Sequence, residues 1–218
     1  MSDGTRLARS LCERMCHDLS GLVGTLANLL TLARETPGDS VEVVAVASDA
    51  AMALTARLRL LRGAWVGLAT PLHEDALHAL LPGLPGAERL TLDAAGIAFP
   101  LPPALAQTVL NLLLVAAQAL PWGGGIALRA EQGSGSVDSC LMLSISGRAA
   151  AWPPGFAACV SDPQLALATA CSAGSSDLQP PLAAALAHAA GVRLSWLLAG
   201  PAPLPLLLQA PAAENSAA

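Results

Sequence analysis

Apolar residues recur every three or four positions along the first stretch of the chain. The residues that follow this spacing are Leu7, Leu11, Met15, Leu19, Leu22, Leu26 and Leu29. Such a pattern predicts an amphipathic helix over residues ~5–34. At ~100° per residue, His17 falls roughly 200° from the centre of the apolar side. We therefore expect the His17 imidazole on a solvated face of this helix.

The helix face around His17 carries few bulky side chains. Its neighbours at helical spacing are Ser10, Glu13, Arg14, Ser20, Gly21 and Gly24. A glycine inside a helix costs ~1 kcal/mol relative to alanine. Two glycines beside a histidine suggest that another molecule approaches the helix closely here. An ordinary exposed histidine followed by a weak helical turn fits the same pattern.

A second helix over ~40–65 follows a turn predicted at residues 36–39. Its apolar stripe consists of Val43, Val46 or Ala47, Ala50, Leu54, Leu58 and Leu61. Two long helices joined by a short turn form an antiparallel hairpin. Because a lone hairpin cannot cover both apolar stripes, we expect two copies to form a four-helix bundle through residues 5–65, and hence a homodimer. The alternative is that the hairpin packs against the rest of its own chain.

From Thr70 onward, short helices and strands alternate irregularly. Helices are predicted at 72–81, ~102–120, ~161–172 and 178–190, and strands at 89–92, 96–99, 126–131, 137–146, 192–198 and 204–208. Antiparallel hairpins among these strands give an α+β layer sandwich. We therefore divide the chain into a helical hairpin (1–68), an α/β domain (69–210) and a loose tail (211–218).

Composition and charge exclude several classes of protein. The 218 residues include 11 basic and 16 acidic ones, and the basic residues cluster only at Arg57, Arg59 and Arg62, which argues against nucleic-acid binding. No apolar run of ~20 residues lacks a polar residue or a helix breaker, so we expect no membrane span. The first residues do not resemble a signal peptide, and the five cysteines are scattered, so we expect reduced thiols in a cytoplasmic protein.

The pair His17-Asp18 is the leading chemical candidate. An exposed imidazole nitrogen can accept a phosphoryl group. A carboxylate next in sequence can orient the ring or take its proton, which keeps the other nitrogen nucleophilic. Metal binding by this chain is not expected, because His73 and His78 lie five residues apart instead of the four that a zinc-binding helix requires.

Several sequence blocks resemble one known family. The run Leu11–Leu19, followed by Val23-Gly24 and Asn28, is similar to the phosphoacceptor helix of the alphaproteobacterial histidine phosphotransferases of the cell-cycle phosphorelay. Further blocks extend the resemblance over nearly the whole chain, at 57–67, 110–124 and 178–191. The resemblance implies a dimer with a histidine-bearing helical hairpin and a C-terminal domain similar to a histidine-kinase ATPase domain. Leu22 departs from the family, in which a proline is usual, and this bears on the choice of partner more than on the chemistry.

The resemblance to kinases also indicates a domain without an ATP site. Val115 stands where a kinase has a second asparagine that helps to hold Mg²⁺, and valine offers no oxygen ligand. Ser146 stands where a kinase has the aspartate that contacts adenine. A glycine-rich lid is absent before the helix at Leu182. We therefore expect a pseudo-ATPase domain and no cofactor bound by this chain.

The resemblance implies a relay function in two-component signalling. His17 would carry a phosphoryl group between the aspartates of receiver domains, with assistance from Asp18 and with Mg²⁺ supplied by the receiver. The residues expected to dock the receiver are Arg14, Ser20, Gly21, Gly24 and Asn28. Two alternatives stay open: an autophosphorylating histidine kinase, and a non-catalytic scaffold that binds receivers.

Overall fold

The computed structural model describes residues 2–36, 40–130, 140–198 and 202–210. Within these ranges the chain forms seven α-helices and five strands. The helices are α1 (Asp3–Glu35), α2 (Ser40–Trp65), α3 (Glu74–Leu80), α4 (Pro103–Ala119), α5 (Phe156–Ser161), α6 (Pro163–Ser172) and α7 (Gln179–Ala189). The strands are β1 (Leu90–Asp93), β2 (Gly124–Ala130), β3 (Cys140–Ser146), β4 (Arg193–Trp196) and β5 (Leu206–Gln209).

The two predicted long helices pair as a hairpin of α1 and α2. The Ser2 side chain begins α1 by accepting a hydrogen bond from the Thr5 N–H, as an N-cap does. Within Asp3–Glu35 no residue is fully buried in the single chain. Large apolar side chains of the hairpin stay exposed, among them Met15, Val23, Leu30, Val44 and Met52. In the part of the chain that the structure describes, no helix is long and apolar enough to cross a membrane.

The last turns of α2 pack against the C-terminal part of the same chain. Leu60, Leu61 and Ala64 are buried in the main core together with residues of α4. Leu7 and Leu11 near the start of α1 pack against a second buried cluster that includes Ala170 and Leu182. Packing within one chain therefore accounts for the end of α2 and the start of α1, whereas large apolar side chains elsewhere on the hairpin stay exposed. Because the last turns of α2 share this core, the domain boundary at residue 68 stays a prediction.

A five-stranded mixed sheet with the order β1-β2-β3-β5-β4 forms the centre of the C-terminal part. The β1 strand pairs parallel with β2, and the other pairs are antiparallel. The register places Leu128, Leu143 and Leu206 side by side, and all three are fully buried. The helix α4, which is buried along most of its length, shares a core with them. The α+β class is confirmed.

One local prediction was wrong, and one short helix was missed. Residues 96–99 form no strand, because the chain turns directly after β1: the Asp93 carboxylate accepts a hydrogen bond from the Ala95 N–H, and Gly96 has a φ of +84°. The helix predicted at ~161–172 is confirmed as α6, and the short α5 directly before it was not predicted. They are divided at Asp162, whose carboxylate caps α6 by accepting hydrogen bonds from two N–H groups.

Parts of other predicted features lie outside the described residues. These are positions 37–39 of the first turn, the turn at 133–136, the start of the strand at 137–146, and the tail at 211–218.

Candidate functional site

His17 lies in the middle of α1, and its side chain is 81% exposed. The ring nitrogen Nδ1 is 3.5 Å from the Asp18 Oδ1, at the outer limit of a hydrogen bond. Among the described residues, no hydrogen-bond partner contacts Nε2. One nitrogen of the ring therefore faces a carboxylate, and the other is open to an incoming group.

The Asp18 side chain lies against the interior of the molecule and is only 9% exposed, in contrast to the His17 ring. Arg57 Nη2 donates a hydrogen bond to Asp18 Oδ2 over 2.5 Å. Arg14 Nε lies 3.0 Å from Oδ1 and forms an ion pair with it, although this N–H is not well aligned for a hydrogen bond. The carboxylate is thus held between two guanidinium groups.

These contacts decide the ionisation of Asp18. Burial acts to raise the pKa of the carboxyl group, but the hydrogen bond and charge of Arg57, together with the nearby Arg14, outweigh it, so that the pKa lies below its ordinary value. A carboxylate held in this way is a weaker base than a free one. The geometry therefore favours a negative charge held beside the imidazole ring over acceptance of a proton from it.

Arg14 and Ser10 connect α1 to the segment before α7. The Ser10 hydroxyl donates to the Ala173 carbonyl over 3.1 Å. Arg14 Nη1 donates to the carbonyls of Ser175 and Ser176 over 2.9 and 3.2 Å. Arg14, which the sequence placed among the docking residues, is thus bound within its own chain, and little of its side chain is left for a partner.

The remaining four predicted docking residues lie exposed near His17. We call this surface the docking face, and it consists of Ser20, Gly21, Gly24 and Asn28. A Cβ atom added at either glycine would meet no atom within 4 Å. The Ser20 hydroxyl donates back to the Cys16 carbonyl over 2.6 Å, so it does not extend far from the helix. The docking face is therefore open to a close approach, as the sequence predicts.

A cleft of about 420 Å³ lies beside His17, between the hairpin and the C-terminal part of the chain. Its hairpin side includes His17, Leu22 and Arg57, and its opposite wall is formed by residues 82–88. Sequence reasoning missed this wall, for which the turn-forming run Pro-Gly-Leu-Pro-Gly at 82–86 was the only local signal. It also missed the position of Arg57, because that residue meets Asp18 across 39 positions of the sequence.

Val115, compared above with a Mg²⁺ ligand of kinases, and Asn111, one turn before it on α4, are both buried, whereas Ser146 is exposed. Val115 is completely buried in the core. The Asn111 side-chain N–H groups donate to the carbonyls of Ala64 and Gln107, and its side-chain oxygen accepts a hydrogen bond from Gln179 Nε2 over 3.1 Å. The Asn111 amide is therefore already satisfied within the chain.

The C-terminal part of the chain matches a known family. Residues 74–202 match the model of the histidine phosphotransferase C-terminal domain. Because this match covers more than half of the chain, the protein belongs to the histidine phosphotransferase family. It is 28% identical over 153 residues to the protein phosphotransferase ChpT of Brucella abortus (strain 2308). The aligned region covers 69% of this chain and 72% of that protein.

A solved structure agrees with this assignment. It is a bacterial phosphotransferase determined at 1.7 Å, 25% identical to this chain, with a TM-score of 0.69 over 96% of this chain and 97% of the other. The family resemblance and the phosphotransferase function predicted from the sequence are confirmed. The family match itself begins at residue 74, beyond the hairpin, so the identity of the phosphoacceptor rests on the geometry of the site.

Proposed function

We propose that His17 accepts a phosphoryl group from the aspartate of one receiver domain and passes it to the aspartate of another. The observation that carries this proposal is the exposed His17 ring, with its Nε2 open and with the docking face beside it. A receiver domain is a large phosphodonor, and its surface must come close to the His17 ring. A helix face bare of side chains permits that approach.

The transfer needs a nucleophilic nitrogen and charge neutralisation. Nε2 of the neutral ring attacks the phosphorus of the aspartyl phosphate, the P–O bond to the aspartate breaks, and the aspartate leaves as a carboxylate. The Asp18 charge favours the tautomer with the proton on Nδ1, which leaves the Nε2 lone pair free. Mg²⁺ brought by the receiver would neutralise the charge of the phosphoryl group, and the proposal assigns no cofactor to this chain.

The C-terminal domain in this proposal does not use ATP. The buried Val115 and the internally bonded Asn111 support it, since neither offers a free oxygen for Mg²⁺. Autophosphorylation with ATP is therefore the weaker alternative. The relay and the non-catalytic scaffold differ in one outcome. In the relay a phosphoryl group reaches His17, and in the scaffold it does not.

The hairpin also supports a homodimer through residues 5–65. Val23 and Leu30 are two helical turns apart on α1 and thus share a face, and about half of each side chain is exposed in the single chain. A second hairpin would cover this face in a four-helix bundle. A cytoplasmic location is also part of the proposal.

The proposal is tested by phosphate exchange between receivers. Receiver domains labelled with ³²P-acetyl phosphate are screened for one that labels the unmodified protein, and a second unlabelled receiver is then added. The relay predicts that label passes to the second receiver, and that His17→Ala stops this passage whereas His73→Ala, an exposed histidine on another element, does not. Passage through His17→Ala at the parental rate would contradict the assignment.

A further inference from the structure

Arg57 is a charged side chain buried between the hairpin and the C-terminal part of the chain, with 7% of the residue exposed. A buried charge is costly unless it is paired and hydrogen-bonded. Nη2 of Arg57 donates to Asp18 Oδ2, and Nη1 donates to the Gly83 carbonyl over 3.0 Å. One guanidinium group on α2 therefore connects α1 to the turn at 81–83.

The position of Gly83 gives a second, independent sign that this turn is fixed. A Cβ atom at Gly83 would lie 2.5 Å from the Ala56 carbonyl oxygen and 3.0 Å from the Leu60 Cβ. The backbone of the turn is therefore pressed against α2 within one helical turn of Arg57. Only glycine allows this approach without a shift of the turn.

The turn leads directly into the wall of the cleft. Residues 82–88 face His17, Asp18 and Leu22 across the cleft of about 420 Å³. The wall belongs to the C-terminal part, whereas the imidazole belongs to the hairpin. The contacts at Arg57 and Gly83 lie where the two meet and hold residues 82–88 against α2.

We propose that Arg57 is a positioning residue for phosphoryl transfer between a receiver domain and His17. By fixing the 82–88 wall against α2, it makes the cleft a preformed part of the surface that binds the receiver around its phosphoaspartate. This inference rests on the proposed function. Misplacement of a docked reactant by ~1 Å can lower a transfer rate by ~10²-fold. A small phosphodonor does not need the 82–88 wall, so the rate at which it phosphorylates His17 does not depend on the position of the wall.

The test compares a macromolecular donor with a small one. The variants Arg57→Gln, Arg57→Lys and Gly83→Ala are measured for kcat and KM with a phosphorylated receiver that labels the parent, and for the rate of phosphorylation by phosphoramidate. Arg59→Gln is the matched control, because Arg59 is exposed and lies roughly 200° around α2 from Arg57. Thermal melting shows which variants are folded.

We expect Arg57→Gln to lower kcat/KM for the receiver by ~10–100-fold, with a fall in kcat because the docked phosphoaspartate is misplaced, and to change the phosphoramidate rate far less. Gly83→Ala should give the same pattern, because it moves the wall and leaves Arg57 and Asp18 in place. Lysine cannot contact Asp18 and the Gly83 carbonyl with a two-pronged group, so Arg57→Lys should recover little of the loss. Arg59→Gln should behave as the parent.

Three results would overturn the inference. If Arg57→Gln kept the parental kcat/KM with the phosphorylated receiver, Arg57 would have no role in receiver docking. An equal loss with both donors would mean that Arg57 acts on the imidazole through Asp18, and full recovery in Arg57→Lys would mean that only its charge matters. If Arg57→Gln does not fold, the receiver and phosphoramidate rates of Gly83→Ala are compared instead, and a parental kcat/KM or an equal loss with both donors would again overturn the inference. Failure of the proposed function is recognised separately, by labelling of His17→Ala at the parental rate.

Discussion

At the scale of single residues, the side chain that organises the site is Asp18. It contacts Arg57 and Arg14 on the inside of the molecule and faces the His17 ring on the outside. Adjacent positions on α1 thus differ sharply: the imidazole is exposed and the carboxylate is nearly covered. This arrangement couples the reactive group to the contact between the hairpin and the C-terminal part.

Asp18→Asn should lower the free energy of unfolding at neutral pH by roughly 1–3 kcal/mol, because Arg57 stays buried and loses its charged partner. The sign of the pH dependence follows from the lowered pKa of Asp18. The contribution is complete above the ordinary value of 3.8 and is lost as the pH falls through the lower value of the folded state. Urea unfolding of parent and variant at about pH 7 and about pH 3 measures it. A difference of the same size at both pH values would contradict this account.

At the scale of elements, the exposed stretch of α1 after His17 is the proposed contact surface for the receiver domain. Gly21→Arg adds a long side chain to the docking face, one turn from His17, where an added Cβ atom meets no atom within 4 Å. We expect slower transfer from a phosphorylated receiver and an unchanged rate with phosphoramidate. Gly4→Arg, at a glycine that is equally open but lies near the start of α1, serves as the control. Normal receiver transfer by Gly21→Arg would mean that the docking face lies elsewhere.

The elements differ in how far the sequence predicts them. The helices α1 and α2 and the hairpin of β2 and β3 follow from local spacing of apolar residues, and they were confirmed. The strand at 96–99 was wrong because one side-chain hydrogen bond from Asp93 sets a turn there. The contacts of Arg57 with Asp18 and Gly83 join residues 39 and 26 positions apart, which no local pattern signals. The exposed His17 and its bare helix face were predictable, and the second wall of the cleft was not.

At the scale of the whole molecule, the open apolar face of the hairpin bears on the oligomeric state. Val23→Lys and Leu30→Lys should convert a dimer into a folded monomer, because both side chains are exposed in the single chain and neither supports its core. Sedimentation at micromolar concentration checks the state, and thermal melting checks the fold. Leu165→Lys, an exposed leucine on α6, is the matched control. A parent protein that is monomeric at this concentration would contradict the proposed dimer.

The C-terminal domain should bind ATP weakly or not at all. The sequence resemblance to kinases puts Val115 in the place of a Mg²⁺ ligand, and this valine is buried. The Asn111 amide is hydrogen-bonded within the chain. Calorimetric titration with ATP and Mg²⁺ should give no heat of specific binding. A micromolar dissociation constant would contradict the prediction and would favour the kinase alternative.

The central claim is that His17 carries the phosphoryl group, and the site of the label tests it most directly. The unmodified protein is phosphorylated by a receiver domain that labels it, and the modified residue is mapped by mass spectrometry under conditions that preserve the acid-labile N–P bond. The account predicts one phosphorylated residue, His17, with the phosphoryl group on Nε2. Phosphate found on another residue, or none on a chain that binds the phosphorylated receiver, would contradict it.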